Sequence, residues 1–570
     1  MPSGDLFKIC FKPEDTIKKV LSGMSQNKPD VSLLPAGIIL VLGNDKKLVG
    51  IATDGDMRRA LSSGVSMDMP ISKIMNRQPF LIEDKKSNSE ILSLVVEKIR
   101  KENWNKDRLN KIVLVDKDKH PIDVMSFYDL WQKSDVRFKH IGVVGLGYVG
   151  LTLALTLADL GFKSKGFDTN PVVIKNLKSG RPHFFENGLE GLLKDNLGKN
   201  FEVVDNFEGT NKCDIYFIAV GTPLNNKKKP NLDFLKKASE KIGKILKNGD
   251  AVILRSTVPV GTTRSVVIPI LEKYSKLKAG DDFFIAFAPE RTIEGKALEE
   301  LKKLPQVIGG VNWASADLAS NIFSHMTHSV VLVDSLEEAE MVKLINNTYR
   351  DVVFSFANEV SLVSRKFGIS ARKVIEAANR GYDRSNVPMP SPGVGGACLE
   401  KDPFIFMDSA SKKGYNPLLA RDSRKISELI VNAVSEDILK FIKAKNIKNP
   451  SVLIMGFAFK GKPVTSDVRG STSIHLVNKI KSKIQDIRVF DPVVSEKDIV
   501  KYGARNIRNI KDGFKNVDAV VVMNNNQSFE SIDIREMLKL AKKPCLLLDC
   551  WGLYNKEEVE KVGGVIYQSL

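Results

Sequence analysis

The chain has few cysteines, and none of them form the pairs that zinc sites or disulfide frameworks use. The five in 570 residues are scattered, with no CxxC spacing: Cys10, Cys213, Cys398, Cys545 and Cys550. This pattern argues against a disulfide-stapled secreted domain and against structural zinc, so we predict no metal. A reducing cytoplasm is the expected location.

An apolar leader, a basic arm and an unbroken hydrophobic span are also missing. The first 15 residues mix charged and apolar side chains, unlike a secretory signal. The formal net charge is +18, but no arginine-rich tail concentrates it. We therefore expect no nucleic-acid partner, and ascribe the charge to dispersed surface lysine or to attraction of an anionic small substrate. Residues 141–158 are uncharged, but three glycines interrupt them, so we predict a buried strand and a helix rather than a membrane span.

The order of apolar runs predicts an α/β protein of several domains, as the length requires. Residues 1–134 contain two copies of one strand–turn–strand–helix unit. Strand and helix signals alternate over 138–334 and again over 446–570, which indicates two Rossmann-like, doubly wound parallel sheets. Residues 335–445 are helical, with one unbroken helix predicted over 337–367. A cleft between the two sheet domains is the expected active site.

In both N-terminal copies a hydroxyl residue precedes an aspartate by three positions. The pairs are Thr53 with Asp56, and Ser126 with Asp129. Such a pair caps a helix N-terminus, because it satisfies free backbone donors. A ligand site is the alternative, and the two interpretations are compatible.

A glycine fingerprint opens the second segment, in the sequence Gly145-Leu-Gly-Tyr-Val-Gly150. It follows a hydrophobic strand, begins a helix, and precedes Asp168 at the end of the next strand. The glycines admit a pyrophosphate, and the acid suits the adenosine ribose hydroxyls and disfavours a 2′-phosphate. We therefore predict NAD as cofactor, with contacts from Gly145, Gly147, Tyr148, Val149, Gly150 and Asp168.

Further polar residues follow predicted strands at the same sheet edge, where ligands bind. Thr222 and Thr257 lie in Gly221-Thr-Pro-Leu224 and Arg255-Ser-Thr-Val-Pro-Val-Gly261, which turn chemistry alone could also explain. Glu290 stands just beyond the strand at 284–287, as a candidate base or water-positioning acid. Lys343 and Asn347 share one helical face, either as a solvated polar face or as functional groups among apolar neighbours.

Cys398 differs from the other cysteines, because it lies in a glycine-rich loop. Its surroundings read Ser391-Pro-Gly-Val-Gly-Gly-Ala-Cys-Leu-Glu-Lys-Asp402. A buried structural thiol is the ordinary interpretation of a free cysteine. Here a nearby cation is expected to lower the thiol pKa and favour the nucleophilic thiolate.

These motifs together resemble the UDP-glucose/GDP-mannose dehydrogenase family, over about three quarters of the chain. The resemblance rests on GLGYVG, VGTP, STVPVGTT, APERTIEG, the lysine–asparagine helix, GVGGAC and Phe457-Ala-Phe-Lys-Gly461. Residues 1–134 resemble a tandem CBS-domain pair, which implies that Thr53, Asp56, Ser126 and Asp129 hold an adenine nucleotide. The family resemblance implies a homodimer or higher homo-oligomer.

The resemblance also implies oxidation of the C6 alcohol of a UDP-sugar to the acid with two NAD⁺. Asp402 and Thr257 then handle the alcohol proton through water, and Cys398 attacks the aldehyde to give a thiohemiacetal and a thioester. Lys343 and Asn347 stabilise the oxyanion, and Glu290 assists hydrolysis. Gly395, Phe459 and Lys460 are implied substrate contacts, and Arg469 lies near the cofactor.

The motifs leave the sugar open. Asn347 to Asp351, Phe356 to Glu359 and Ala378 to Arg380 resemble the branch that oxidises UDP-N-acetylmannosamine or UDP-N-acetylglucosamine. Lys401 is more similar to the UDP-glucose branch. A two-electron oxidoreductase or epimerase with a structural Cys398, and a nucleotide-sensing binding protein, are the alternatives in function.

Overall fold

The computed structural model describes residues 6–26, 37–79, 81–83, 112–125, 139–384 and 386–570. It divides into two compact units, 1–139 and 140–570. Among the described helices, none has both the length and the hydrophobicity needed to cross a membrane.

The first unit contains two small sheets with the same plan. Its strands are β1 to β6: Cys10–Phe11, Ile38–Leu42, Leu48–Thr53, Leu81–Glu83, Ile112–Val115 and Pro121–Met125. In each sheet a parallel first strand pairs with an antiparallel hairpin, in the orders β1-β2-β3 and β4-β5-β6. Leu40 and Val113, from the two hairpins, pack in one buried cluster. Helices cover Ile17–Gln26 and Asp54–Ser62. The internal repeat expected from the sequence is therefore present in the strands.

The second unit begins with an eight-stranded sheet. Its strands are β7 to β14: His140–Val144, Lys163–Phe167, Phe201–Val203, Ile215–Ile218, Ala251–Leu254, Phe284–Phe287, Gln306–Gly310 and Val330–Val333. The order is β14-β13-β12-β11-β10-β7-β8-β9, parallel except between β12 and β13. The direction of strand addition reverses between β7 and β10, which is the topological switch point where such sheets bind ligands.

Helices cover both faces of this sheet. They are Tyr148–Asp159, Pro171–Lys178, Leu189–Asn196, Asp233–Gly243, Ile268–Ser275, Ala297–Lys303 and Trp313–Ser324. The uncharged stretch from residue 141 becomes strand β7 and the first of these helices, as predicted. That helix is buried along nearly its whole length, which explains its lack of a polar face.

The helical connector follows, and then a second sheet. The connector consists of the helices Leu336–Phe367, Ala371–Asn379, Asp402–Ser411 and Leu418–Ala444. Strands β15 to β20 are Ser451–Met455, Asp486–Phe490, Arg505–Asn506, Ala519–Val522, Cys545–Asp549 and Val565–Ser569, all parallel in the order β17-β16-β15-β18-β19-β20. The remaining helices are Thr472–Ile480, Glu496–Val500, Ile510–Phe514, Gln527–Glu530, Ile534–Lys539 and Lys556–Glu560.

Candidate active site

The glycine loop after β7 has the shape that a dinucleotide requires. Gly145 has a φ of +92°, which favours glycine. A Cβ on Gly150 would lie 1.8 Å from the carbonyl oxygen of Gly145, so only glycine allows the helix to approach the strand this closely. A Cβ on Gly147 would meet no atom within 4 Å, which leaves room at the helix N-terminus. Backbone N–H groups and the helix dipole there suit a pyrophosphate.

Asp168 and Tyr148 hold this loop from two sides. The carboxylate of Asp168 accepts hydrogen bonds from the N–H groups of Leu146 and Asn170, both at 2.8 Å. The Tyr148 hydroxyl donates to Glu186 at 2.5 Å, and the same carboxylate accepts from the N–H groups of Gly295 and Ala297. The fingerprint is thus tied to the loop after β12. Val149, inside the first helical turn, is half-buried.

The two loops carrying Thr222 and Thr257 lie side by side. The Thr222 hydroxyl donates to the Thr257 carbonyl oxygen at 2.5 Å, and the Ser256 hydroxyl donates to the Val220 carbonyl oxygen at 2.7 Å. These bonds join the carboxyl ends of β10 and β11 next to the glycine loop. The predicted placement of both motifs at one sheet edge is confirmed.

Connector helices hold the loop that leads to Cys398. The Asn358 side-chain oxygen accepts from the Ser391 N–H, and the Ser427 hydroxyl oxygen accepts from the Val394 N–H, both at 2.8 Å. A buried Arg424 also donates to the Val394 carbonyl oxygen at 3.5 Å. Asn358 comes from the Leu336–Phe367 helix, and Ser427 and Arg424 from the Leu418–Ala444 helix. The loop geometry therefore depends on both long helices.

The second sheet domain supplies the other wall of this loop. The Gly396 N–H donates to the Gly470 carbonyl oxygen at 3.1 Å. A Cβ on Gly395 would lie 2.4 Å from that same oxygen, and one on Gly396 would lie 2.7 Å from the Phe459 ring. Glycine at both positions is what permits the loop and this domain to touch. Phe459 follows β15 at the switch point of its own sheet.

Lys343 and Asn347 are buried, at 7% and 8% exposure, so they do not form a solvated face. The Asn347 amide donates to Asp402 Oδ2 at 2.6 Å. The Lys401 ammonium lies 2.9 Å from Asp402 Oδ1 and donates to the Thr222 hydroxyl oxygen at 3.5 Å. Asp402 itself is fully buried. One continuous set of polar contacts thus links the connector helix, the Cys398 loop and the cofactor-side loops.

Cys398 is exposed as a residue, yet the protein around its thiol removes it from bulk water and raises its pKa. Lys343 and Lys401 oppose this shift, while Asp402 and Glu294 reinforce it. The predicted cation is present, but the predicted net lowering of the thiol pKa is wrong for this state. Cys213, Cys545 and Cys550 are buried, as expected for structural thiols.

Glu290 is buried, and both of its carboxylate oxygens accept hydrogen bonds from the protein. Arg255, with a completely buried side chain, donates to one carboxylate oxygen. The N–H groups of Arg291 and Thr292 donate to the other oxygen, at 2.7 and 2.8 Å. Burial raises the pKa of Glu290, but Arg255, the Thr292 hydrogen bond and Lys343 outweigh it and lower the pKa overall. The group is therefore held as a carboxylate.

Glu294 was not singled out from the sequence, although it lies four residues after Glu290 in the same motif. It meets Arg469 of the second sheet domain at 3.5 Å, and Arg469 also pairs with Asp467. Burial and the nearby Asp467 raise the pKa of Glu294 to about 7, against the pull of Arg469 and Lys460. Lys460 donates to the Glu294 carbonyl oxygen at 2.6 Å, and burial lowers its pKa to about 8.

The N-terminal pair Thr53 and Asp56 forms a complete capping box. Asp56 Oδ2 accepts from the Thr53 N–H at 2.9 Å and from its hydroxyl at 2.7 Å, while the Thr53 hydroxyl oxygen accepts from the Asp56 N–H. Arg59 pairs with the other carboxylate oxygen at 2.8 Å. The capping interpretation is confirmed here. Ser126 and Asp129 lie outside the described residues.

One cluster bears on the predicted absence of metal. Asp116, Asp118 and His120, in the turn between β5 and β6, place ligand atoms within 4.8 Å of one another. Asp116 accepts from the N–H groups of Asp118 and His120 and contacts the imidazole at 3.0 Å. Hydrogen bonding within the turn is enough to explain why these three side chains lie together. The absence of a metal ion stays a prediction.

Sequence profiles of one family cover the second unit in order. The UDP-glucose/GDP-mannose dehydrogenase profiles match residues 139–327 (NAD binding domain), 337–429 (central domain) and 453–556 (UDP binding domain). The chain belongs to the UDP-glucose/GDP-mannose dehydrogenase family. The CBS domain profile matches residues 8–63, which include the first N-terminal copy.

Several similar proteins are named as UDP-N-acetylhexosamine dehydrogenases. UDP-N-acetyl-D-mannosamine dehydrogenase of Pyrococcus horikoshii is 33% identical over 401 residues, 69% of this chain and 91% of that protein. Its solved structure superposes with a TM-score of 0.68 at 30% identity, covering 75% and 98% of the two chains. UDP-N-acetyl-D-glucosamine 6-dehydrogenase of Salmonella typhi is 30% identical, over 72% of this chain and 95% of that protein.

Membership in the family makes the protein a nucleotide-sugar dehydrogenase with NAD as cofactor. The glycine loop fits that cofactor, because it has the close helix approach at Gly150 and the open space at Gly147.

Proposed function

We propose that the protein oxidises the C6 alcohol of a UDP-sugar to the carboxylate in two steps at one site. One observation carries the proposal: Asn347 and Lys401 both contact the buried carboxylate of Asp402, four residues after Cys398. Lys343, Lys401 and Asp402 also act electrostatically on the Cys398 thiol, which supports placing these groups at one reaction centre. The division into a module over 1–134, sheet domains over 138–334 and 446–570, and a connector over 335–445 belongs to this proposal.

The glycine loop, Asp168, Thr222, Thr257 and Arg469 would hold NAD⁺, and two NAD⁺ molecules bound in succession would each accept one hydride. Asp402 and Thr257 handle the alcohol proton through water, with the Asp402 carboxylate as its acceptor and the Thr257 hydroxyl as a hydrogen-bond partner of the water. A buried carboxylate suits this task, because its contacts with Lys401 and Asn347 hold it in one position beside the Cys398 loop.

Cys398 then adds to the aldehyde through its thiolate, forming a thiohemiacetal that loses a second hydride to leave a thioester. The thiol gives its proton to water before the attack, because the thiolate is the nucleophile. Lys343 and Asn347 stabilise the oxyanion from the connector helix. Covalent attachment keeps the aldehyde from escaping between the two oxidations.

Glu290 assists hydrolysis of the thioester by orienting a water molecule. Its ionised state, held by Arg255, suits a hydrogen-bond acceptor rather than an acid. The hydrolysis adds water across the thioester, releases the sugar acid and restores the Cys398 thiol.

UDP-N-acetylmannosamine or UDP-N-acetylglucosamine is the proposed substrate, with Gly395, Phe459 and Lys460 as contacts. The helix motifs that resemble this branch have structural roles here: Asp351 pairs with Arg424, Asn358 holds Ser391, and Asn379 bonds both backbone groups of Val387. UDP-glucose is the second candidate, because Lys401 resembles the residue of that branch.

Screening UDP-sugars for NADH formation tests the proposal. Two NADH per sugar consumed is the expected ratio, and a ratio of one would instead establish a two-electron enzyme. Cys398→Ser should lose turnover to the acid, whereas Cys10→Ser, in the other unit, should keep it. Full acid formation by Cys398→Ser would reject covalent catalysis.

The N-terminal module is proposed to bind an adenine nucleotide through Thr53, Asp56, Ser126 and Asp129. Calorimetry with AMP and ATP should show heat that Asp56→Ala removes, in a Gly150→Ala background that disables the NAD site. No heat in that background would leave these residues as helix caps.

A homodimer through the connector helix is also proposed. Its apolar side chains remain exposed at intervals of four and seven residues, at Met341, Ile345, Tyr349, Phe356, Val363 and Phe367. Such a stripe on one helix is typical of a face that packs against another helix. Sedimentation velocity should give a dimer or larger particle.

A further inference from the structure

Glu340 lies on the connector helix one turn before Lys343, and it is only 1% exposed. Its carboxylate accepts three hydrogen bonds from the loop after β11. They come from the Gly261 N–H at 2.5 Å, the Thr263 N–H at 2.8 Å and the Thr263 hydroxyl at 2.6 Å. Because this buried carboxylate accepts all three hydrogen bonds from the first sheet domain, it joins that domain to the connector helix.

The loop needs this partner because its backbone is irregular. Gly261 has a φ of +86°, and residues 263–267 form a π-helical turn, so nearby N–H groups lack ordinary helical acceptors. Burial raises the pKa of Glu340 to about 7, while the hydrogen bonds from Thr263 and Gly261 favour the ionised form.

The same loop carries Thr257, which the proposed function places in proton transfer. A second anchor lies at Val260, whose N–H donates to the Ser409 hydroxyl oxygen at 3.0 Å. Ser409 belongs to the helix that begins at Asp402. The loop is thus tied to the helix of Lys343 through Glu340 and to the helix of Asp402 through Ser409.

We propose that Glu340 is a positioning residue, which fixes the 256–263 loop and with it Thr257 against the connector helix. This inference rests on the proposed function for the catalytic role of Thr257, but not for the position of the loop. A displacement of about 1 Å at a reacting group lowers rates about 100-fold. Weakening the hydrogen bonds to Glu340 loosens one of the two anchors that hold the loop against the helices.

Glu337 provides a matched control on the same helix. It pairs with Arg264, just beyond the loop, at 2.7 Å, but both side chains are partly exposed. Exposed ion pairs contribute little, so Glu337→Gln should leave kcat within about twofold of the parent. Glu340→Gln keeps the side-chain size, but its amide nitrogen cannot accept a hydrogen bond. It should lower kcat about 10- to 100-fold.

Two measurements on the full-length protein decide the matter. Hydrogen-exchange mass spectrometry should show faster exchange in the peptide covering 256–263 for Glu340→Gln, and no change for Glu337→Gln. In a Thr257→Val background the kcat loss from Glu340→Gln should shrink to less than about twofold, because coupled residues are not additive. If Glu340→Gln does not fold, Ser409→Ala should give the same local exchange.

Unchanged exchange at 256–263, or an equal kcat loss in both Thr257 backgrounds, overturns the proposal. Full activity of Thr257→Val alone would instead refute the proposed role of Thr257. Hydrogen exchange in residues 256–263 would still test whether Glu340 fixes the loop.

Discussion

Removing Arg424 should destabilise the protein in a way that depends on pH. Arg424 pairs with Asp351 through two hydrogen bonds, one of them from Nε at 2.8 Å. The Asp351 side chain is fully buried and that of Arg424 is 8% exposed. In Arg424→Met the carboxylate keeps its burial and loses its cation, and such broken buried pairs cost about 3–5 kcal/mol.

The pH dependence follows from the pKa of Asp351, which burial raises from 3.8 to about 6 while Arg424 opposes the rise. Because the folded pKa is the higher one, the associated stability is largest below about pH 4 and is lost as pH rises through the folded pKa. Without Arg424 this pKa rises further. The Tm difference between parent and Arg424→Met should therefore be larger at pH 8 than at pH 5.

Thermal unfolding across this pH range is the assay, with two comparison variants. The double variant Asp351→Asn with Arg424→Met should recover most of the lost Tm, because no unpaired charge remains. Arg365→Met breaks the Arg365–Asp437 pair between the same two helices, where Arg365 is 30% exposed, and should cost only about 1 kcal/mol. A pH-independent Arg424→Met effect no larger than that of Arg365→Met would refute the reasoning.

Four further outcomes are expected. Gly150→Ala should abolish NAD binding in calorimetry without unfolding the chain, because its Cβ would collide with the Gly145 carbonyl oxygen at 1.8 Å. Glu294→Gln should flatten the dependence of Tm on pH. Burial raises the pKa of Glu294 to about 7, so the parent should lose about 3 kcal/mol of unfolding free energy as pH rises from 5 to 8, and the variant should not. Thr53→Ala should lower the unfolding free energy of its unit by about 1 kcal/mol in urea titrations, through loss of the cap. Tyr349→Asp should convert the oligomer to monomer in sedimentation, because its ring is 70% exposed on the connector stripe.

Most strands of both sheets can be predicted from the sequence, because buried parallel strands are continuous apolar runs. Strands β13 and β14 are harder to find. Two glycines end β13, and a Cβ on Gly309 would lie 2.1 Å from the Ser335 carbonyl oxygen. The connector helix packs so closely on β13 that glycine is required where a strand would ordinarily carry a larger side chain. The sequence does not show that this helix packs there.

In the candidate site, too, some features could be predicted from the sequence and others could not. Motif residues such as Thr222 and Thr257 meet as expected, because strand ends share one sheet edge. The direction of the shift in the Cys398 pKa could not be predicted. The sequence shows the neighbouring charges, but it does not show the burial that raises this pKa. Arg255 gives a signal in retrospect: a charged residue directly after the buried strand β11 needs a buried anion, and Glu290 is that anion.

The hydrogen bond between Gly396 and Gly470 has a consequence for biosynthesis. The loop of Cys398 is completed by a segment near the end of the chain, while the cofactor domain is translated much earlier. Since domains fold as they leave the ribosome, NAD can bind to a nascent chain whose thiol is not yet in place. The proposed covalent capture of the aldehyde must then await the folding of the second sheet domain.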